Sequence, residues 1–243
     1  MPIDYTKRPG QPADSAPASP PAGAPAGGVN LSKVTLTKAA PRVSLTKAGS
    51  TGGTLRVHLA WNARPGQAPA PAGGGFLAKL KQAATGAAGD GAIDLDLGAL
   101  YELADGSKGV VQALGNAFRD RGTGDPLVWL DGDDRRGGGG ENLYVDLRDP
   151  SRIKRVLVFA FIYEGVPNWA AADGVVTLHP AQGPEVEVRL DEHDDRSPMC
   201  AIAQLVSDGR EVSVQREVRY VQGGQQALDE AYGWGMRWRT GRK

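Results

Sequence analysis

Cysteine, histidine and long apolar segments are scarce in this sequence, and each shortage excludes a class of protein. The one cysteine, Cys200, leaves no partner for an internal disulfide and no thiolate set for a cysteine-based zinc site. The three histidines are scattered and form no metal-hydrolase motif such as H-E-x-x-H. No apolar run approaches the roughly 20 residues of a membrane-spanning helix, and no signal-peptide apolar region follows Met1. We therefore expect a soluble, cytoplasmic protein that does not itself span a membrane.

Net charge is also lacking, because 28 basic and 28 acidic residues cancel within the 243 of the chain. Proteins that bind nucleic acid or anionic membranes through broad surfaces rely on an excess of Lys and Arg, so no nucleic-acid partner is expected. The sequence contains neither the G-x-S-x-G turn of a serine hydrolase nor a P-loop. No catalytic nucleophile is visible, and we predict that the protein is not an enzyme.

Glycine and proline are plentiful, but they gather in a few segments. Residues 9–28 are almost entirely Pro, Ala, Gly and Ser, with too little apolar surface to offset the entropy lost on ordering. The sequence therefore predicts a disordered tail over 1–28 and one folded domain over 29–243. The first eight residues are more varied, which is typical either of a frayed terminus or of a short docking peptide. A second Gly-, Ala- and Pro-rich stretch predicts a flexible insertion at 62–92 between two strands.

Short segments that alternate apolar and polar residues fill the rest of the chain. The pattern of 34–39 recurs at 43–48, and Pro41 between the copies suits a turn between two strands. A nearly continuous apolar run at 156–162 is typical of a central strand. Only residues 224–232 indicate a convincing helix. About ten short strands with turn signals between them predict an all-β protein, a β-sandwich with one short C-terminal helix.

The acidic residues gather at two places, and the first is the alternating segment Ile-Asp-Leu-Asp-Leu at 93–97. Strict alternation predicts a half-buried strand whose leucines face inward while Asp94 and Asp96 share the other face. Two carboxylates about 6.6 Å apart repel by roughly 2–3 kcal/mol at an effective dielectric near 20. Either open water or a divalent cation must offset this repulsion.

The second acidic place is the loop 131–141. Glycines 137–140 let its backbone bend around an ion, and calcium takes six to eight hard oxygen ligands. The loop is not an EF-hand, because counting from Asp131 puts Arg136 where that motif needs glycine. The alternative is a solvated hairpin loop in which Arg135 and Arg136 neutralise the acids. The carboxylates that the loop offers to a cation are Asp131, Asp133, Asp134 and Glu141.

Three further residues or runs have both a functional and a structural interpretation. The acidic run 191–195 has the ligand types of a metal site, but consecutive turn residues point in different directions, which favours a solvated loop. A reactive Cys200 would suit oxyanion reduction, yet its apolar neighbours favour a core strand and an inert thiol. Glu164, at the end of the most apolar strand, is a second-tier ligand candidate.

Several unusual motifs occur in an order that resembles one known family. They are LAWN at 59–62, IDLDLGA at 93–99, GDD at 132–134, GE at 140–141, FIYEGVPNW at 161–169, MCA at 199–201 and YGWGMRW at 232–238. After residue 29 the chain is similar to the TerD-like family of tellurium-resistance and stress-response proteins, and in particular to its TerA branch. The resemblance implies a calcium-binding β-sandwich that contributes to tellurite resistance. It implies partners among other tellurium-resistance proteins and a TerC-type membrane protein, which would place the chain at the inner face of the membrane.

Carried over to this sequence, the family's acidic pair falls on Asp94 and Asp96. Its acidic loop falls on Asp133, Asp134 and Glu141. The family's Trp-Asp is Trp-Asn here at 61–62, and glycines replace an acid-rich loop end, so the resemblance implies weaker calcium binding. The leading hypothesis is a non-enzymatic calcium-binding interaction module of the stress response. The alternatives are a metal-independent scaffold of a membrane-associated stress complex and, as a third, an oxyanion-processing enzyme.

Overall fold

The computed structural model describes residues 33–50, 52–62, 93–122, 124–131, 140–164 and 169–238. Its strands are β1 (Lys33–Thr35), β2 (Arg42–Ser44), β3 (Thr54–Ala60), β4 (Asp94–Leu103), β5 (Lys108–Gln112), β6 (Val128–Leu130), β7 (Glu141–Asp146), β8 (Ile153–Glu164), β9 (Gly174–His179), β10 (Glu185–Leu190), β11 (Met199–Ser207) and β12 (Val212–Val221). Its helices are α1 (Trp169–Ala172) and α2 (Gln225–Tyr232), and single 3-10 turns lie at Leu114–Asn116 and Pro150–Arg152.

The strands form two six-stranded sheets, which confirms the predicted all-β fold. The order is β1-β10-β9-β3-β7-β6 in the first sheet and β2-β12-β11-β8-β4-β5 in the second. One cluster of buried apolar side chains contains residues of both sheets, including Val57 and Leu143 from the first and Leu97 and Val158 from the second. The described residues thus contain twelve strands of a β-sandwich, against the ten or so that the sequence predicted.

The two copies of the opening repeat join different sheets. Strand β1 pairs in parallel with β10 in the first sheet, whereas β2 pairs antiparallel with β12 in the second. Pro41 lies at the crossing, where its carbonyl accepts a hydrogen bond from the backbone N–H of Arg216 at 2.6 Å. Both predicted strands therefore exist, but a connection between sheets separates them.

The second sheet is buried on both faces. Helix α2 and the segment after it pack on its outer face, where Leu228 and Trp234 join Leu100, Phe159 and Phe161 in a second apolar cluster. The strand predicted at 93–97 is confirmed as the start of β4, but the prediction that it is half-buried is wrong, because β4 is buried at every position after its first residue. In the first sheet, half-buried positions alternate with buried ones along β3 and β7, and no described helix packs over these outer positions.

The predicted C-terminal helix is confirmed as α2. Gly233 ends it in the left-handed conformation with φ 62°, which a residue without a Cβ adopts readily. The tail predicted over 1–28 and the insertion beyond residue 62 lie outside the described residues and stay predictions. In the part of the chain that is described, no helix has the length and apolar character needed to cross a membrane.

Candidate functional site

Of the predicted acidic residues, Asp94, Asp96 and Glu141 lie at one end of the sandwich, where both sheets contribute strand ends. Strand β4 begins at Asp94, opposite Glu164 at the end of β8. In the first sheet, β7 begins at Glu141, opposite Leu59 near the end of β3. The indole Nε1–H of Trp61, just after β3, donates to the carbonyl of Ile93 at 3.0 Å and so brings the two sheets together at this end. The pairing of β4 with β8 places the backbone of Glu164 opposite Asp94, and the role of Glu164 as a second-tier ligand stays a prediction.

Glu141 reaches across the sandwich from the first sheet to the second. Its Oε2 accepts a hydrogen bond from the backbone N–H of Leu97 at 2.5 Å, and the residue is only 4% exposed. The ladder between β4 and β5 runs from Gly98 to Glu102, so Leu97 lies just beyond its end. The carboxylate therefore continues the hydrogen bonding of β4 past the point where β5 stops.

Asp96 lies beside this contact and is also buried, with 1% of its surface exposed. It pairs across the sheet with Phe161 of the outer cluster, and so it faces away from Leu95 and Leu97, which belong to the main core. Asp94 at the strand start is half-buried. Taking a carboxylate out of water is costly unless donors or a cation compensate. Asp96 thus carries a buried carboxylate on the outer face of β4, next in sequence to Leu97, whose N–H donates to Glu141.

Asp131 belongs to a different cluster, on the outer face of the first sheet. Its Oδ2 accepts from Asn142 Nδ2 at 3.0 Å and from the Tyr144 hydroxyl at 3.3 Å. The side-chain carbonyl of Asn142 in turn contacts Nδ1 of His58 at 3.0 Å and accepts from Nη1 of Arg56 at 3.3 Å. Burial and the neighbouring Asp131 carboxylate raise the pKa of Tyr144. Because Asn142 and Glu141 are consecutive in β7, the structure places Asp131 and Glu141 on opposite faces and does not bring them together.

Sequence reasoning missed this outer cluster. Its members come from β3, β6 and β7, and only the register that pairs His58 with Asn142 and Arg56 with Tyr144 reveals that they touch. Trp129 of β6 extends it, since its ring stacks on Tyr144 with centroids 5.2 Å apart. The alternation of polar residues along β3 was the signal that could have indicated a half-exposed polar face.

Gly140 is the one glycine of the predicted run 137–140 within the described residues. Its φ is 76°, and a Cβ at this position would overlap the carbonyl oxygen of Leu59 and the ring of His58. Glycine is therefore required where the loop enters β7. Asp133 and Asp134 lie outside the described residues, so their role as ligands stays a prediction. The described residues alone contain no group of three or more His, Cys, Asp or Glu side chains able to hold a metal.

The second acidic run, 191–195, makes contacts both within its own loop and with residues outside it. Asp194 accepts from the backbone N–H groups of Arg196 and Ser197 at 2.9 and 2.6 Å. Glu192 pairs with Lys38 at 3.2 Å and with Arg216 at 3.1 Å. These contacts give the run a structural role in closing the turn between β10 and β11.

Cys200 is fully buried in the core. Burial raises the pKa of its thiol well above the usual value, with the nearby Glu192 carboxylate acting in the same direction. A thiol is a poor nucleophile unless it is ionised, so this environment opposes redox chemistry at Cys200.

Comparison with known proteins gives one close relative. The chain is 45% identical over 217 residues to the tellurium resistance protein TerA of Alcaligenes sp., covering 88% of this chain and 60% of that protein. The chain thus spans about three fifths of the relative's length. A solved structure, a homologue of the telluride resistance protein TerD from Streptomyces coelicolor A3(2), matches 73% of this chain and 95% of its own at 18% identity, with a TM-score of 0.44. No family model matches the chain.

Proposed function

We propose that this chain is a calcium-binding interaction module. The support is its resemblance to the TerA branch of the TerD-like family, together with its 45% identity to a tellurium resistance protein TerA. In this proposal it contributes to tellurite resistance and to the general stress response. It acts by binding partners rather than by catalysis, in keeping with a sequence that carries no catalytic motif. Its partners are other tellurium-resistance proteins and a TerC-type membrane protein, and the support for them is the family resemblance alone.

One observation carries the calcium proposal. Asp94 and Asp96 lie two residues apart on one face of β4 at the end of the sandwich, and Asp96 is only 1% exposed. Carboxylate oxygens are the ligands that calcium prefers, and a divalent cation offsets the repulsion between such groups. The donor set therefore fits the ion in chemical type.

In the proposed site, Asp94 and Asp96 supply oxygens from β4. The predicted donors Asp133 and Asp134 supply further oxygens from the loop between β6 and β7. Asp131 and Glu141 lie at the two ends of that loop. When bound, the ion would neutralise the carboxylates of Asp94, Asp96, Asp133 and Asp134 and link the loop to β4. The linked end of the sandwich would then serve as the docking surface for partners.

A metal-independent scaffold is the second candidate, and one observation favours it. Asp131, one of the predicted ligands, already accepts two hydrogen bonds on the outer face of the first sheet. If the remaining acids are satisfied in the same way by protein donors, the fold needs no ion, and partners bind a preformed surface.

Calcium titration of the purified protein separates the two candidates. Calorimetry should show binding, and the melting temperature should rise with calcium as RT ln(1 + [L]/Kd) requires. Asp96→Asn and Asp94→Asn should each remove the calcium-dependent rise. Asp195→Asn, at a carboxylate whose side chain is 89% exposed, is the matched control and should keep it.

The same variants should be measured without calcium, because a melting curve shows that each one folds. In cells, Asp94→Asn should lower tellurite tolerance while Asp195→Asn does not. A folded wild-type protein that shows neither heat nor a thermal shift with millimolar calcium would reject the calcium proposal and leave the scaffold.

A further inference from the structure

Two side chains of the first sheet hold the start of β4 from either end of its acidic pair. The Trp61 indole donates to the carbonyl of Ile93 at 3.0 Å, and the Glu141 carboxylate accepts from the N–H of Leu97 at 2.5 Å. Asp94 and Asp96 lie between these two points. Both contacts are made to backbone atoms, so they fix the path of the strand rather than any side chain on it.

We infer that Trp61 and Glu141 are positioning residues for the acidic pair, and that Glu141 acts on the ion through β4 rather than as a ligand. This inference rests on the proposed calcium binding. The inference differs from the prediction made from the sequence, in which Glu141 is one of the calcium ligands of the loop.

The burial of Glu141 supports this assignment. At 4% exposure its carboxylate lies inside the sandwich, and the oxygen nearest β4 is already used by a peptide N–H. A backbone N–H beyond the end of a ladder needs an acceptor, because an unpaired buried donor is costly. Glu141 meets that need at the point where β5 ends.

Trp61 supports it from the other side. The residue is half-buried and packs against the main core, while its indole N–H reaches the backbone immediately before Asp94. A tryptophan here combines an apolar body with a single donor. Together the two contacts set the distance between the first sheet and the strand that carries the acids.

Substitutions at Glu141 separate a positioning role from coordination. In Glu141→Gln the amide oxygen still accepts from Leu97, whereas Glu141→Ala has no acceptor. The inference predicts that Gln keeps both the calcium-free melting temperature and the calcium affinity close to wild type. It predicts that Ala lowers the melting temperature by several degrees and weakens calcium binding by about tenfold or more, as loss of an outer-shell partner does.

Terbium luminescence lifetimes give a readout that stability does not affect. Measured in H₂O and D₂O, they report the number of waters on a bound Tb³⁺, which substitutes for calcium. For a positioning residue this number should be the same in wild type and in Glu141→Ala at saturation. A larger number of bound waters in Glu141→Ala would overturn the inference and make Glu141 a ligand. So would a loss of calcium affinity in Glu141→Gln equal to that in Asp96→Asn.

Trp61→Phe is the second variant, and it removes the donor while keeping an aromatic ring. It should weaken calcium binding without changing the water count. Trp129→Phe, at a half-buried tryptophan stacked on Tyr144 in the same sheet, is the matched control and should change neither. Equal calcium affinity in Trp61→Phe and wild type would contradict the role of Trp61.

The test also distinguishes failure of this inference from failure of the calcium proposal. If wild type binds no calcium, the proposed function fails, and melting temperatures measured in chelator then test whether Glu141 positions β4. Equal melting temperatures for wild type, Glu141→Gln and Glu141→Ala would overturn that positioning role. A lower melting temperature in Glu141→Ala alone would support it.

Discussion

The guanidinium of Arg155 lies 3.8 Å from the centre of the Trp234 ring. The same side chain donates to Glu102 at 2.6 Å and to the carbonyl of Tyr232 at 3.3 Å. Trp234 is fully buried, and its Nε1–H donates to the carbonyl of Tyr101 at 3.2 Å. The Arg155 guanidinium therefore joins β8, β4 and the segment after α2. This segment covers the outer face of the second sheet.

Loss of the Trp234 ring should therefore destabilise the whole sandwich. We predict that Trp234→Ala lowers the free energy of unfolding by about 3–5 kcal/mol, as large-to-small core changes do. Trp129→Ala, at a half-buried position on the opposite sheet, should cost clearly less. Urea unfolding followed by far-UV circular dichroism measures both, since that signal does not depend on tryptophan fluorescence. Equal losses for the two variants would mean that the C-terminal segment is only loosely attached.

Glu102 should make stability depend on pH. Burial alone would raise the pKa of Glu102, but hydrogen bonds from Lys154 and Arg155 outweigh burial and hold the pKa below its usual 4.5. A carboxyl whose pKa is lower in the folded state stabilises the fold above its unfolded pKa, and this stability is lost as the pH falls through the folded value. We therefore predict that the unfolding free energy declines as the pH drops below about 4.5.

The Glu102→Gln variant checks the source of this dependence. It should lose about 1–3 kcal/mol near neutral pH, because buried charge-assisted hydrogen bonds are removed. It should also show a shallower decline in acid than wild type in the same urea series. Glu230→Gln, at an exposed glutamate of α2, is the control and should leave the curve nearly unchanged. An acid decline of full steepness in Glu102→Gln would assign the effect to other carboxylates.

Cys200 should be inert in the native protein. Because burial raises the pKa of its thiol, we predict that iodoacetamide at pH 8 labels Cys200 only after unfolding in urea. Cells that carry Cys200→Ala should keep wild-type tellurite tolerance, provided that the variant protein accumulates to the same level. Rapid labelling of the folded protein, or loss of tolerance at equal abundance, would restore a redox role for this thiol.

The strands were predictable wherever local pattern decides them. The start of β4 and the apolar run of β8 follow from alternation and from continuous apolar character. Strand β5 escaped prediction because Gly109 interrupts its short sequence, and its place depends on pairing with β4. The burial of β4 on both faces also escaped, since the cover comes from Trp234, more than a hundred residues away.

The candidate site was predictable in composition but not in arrangement. Glu141 does approach β4 beside Asp96, whereas Asp131 belongs to a separate cluster and the shared site stays a prediction. The separation of Asp131 from Glu141 depends on which face each side chain takes, and that follows from the register of β7 against β3. A sequence shows which carboxylates are near one another along the chain, whereas the ladder decides which of them share a face.

The hydrogen bond between Trp61 and Ile93 also bears on how such proteins diversify. The two residues that flank the intervening stretch are in direct contact, so the ends of that stretch are fixed close together. The entropy of closing a loop grows only with the logarithm of its length, so doubling such a stretch costs about 0.6 kcal/mol. Evolution or an engineer can therefore lengthen, shorten or replace the intervening chain, even with a whole reporter domain, while the two sheets keep their registers.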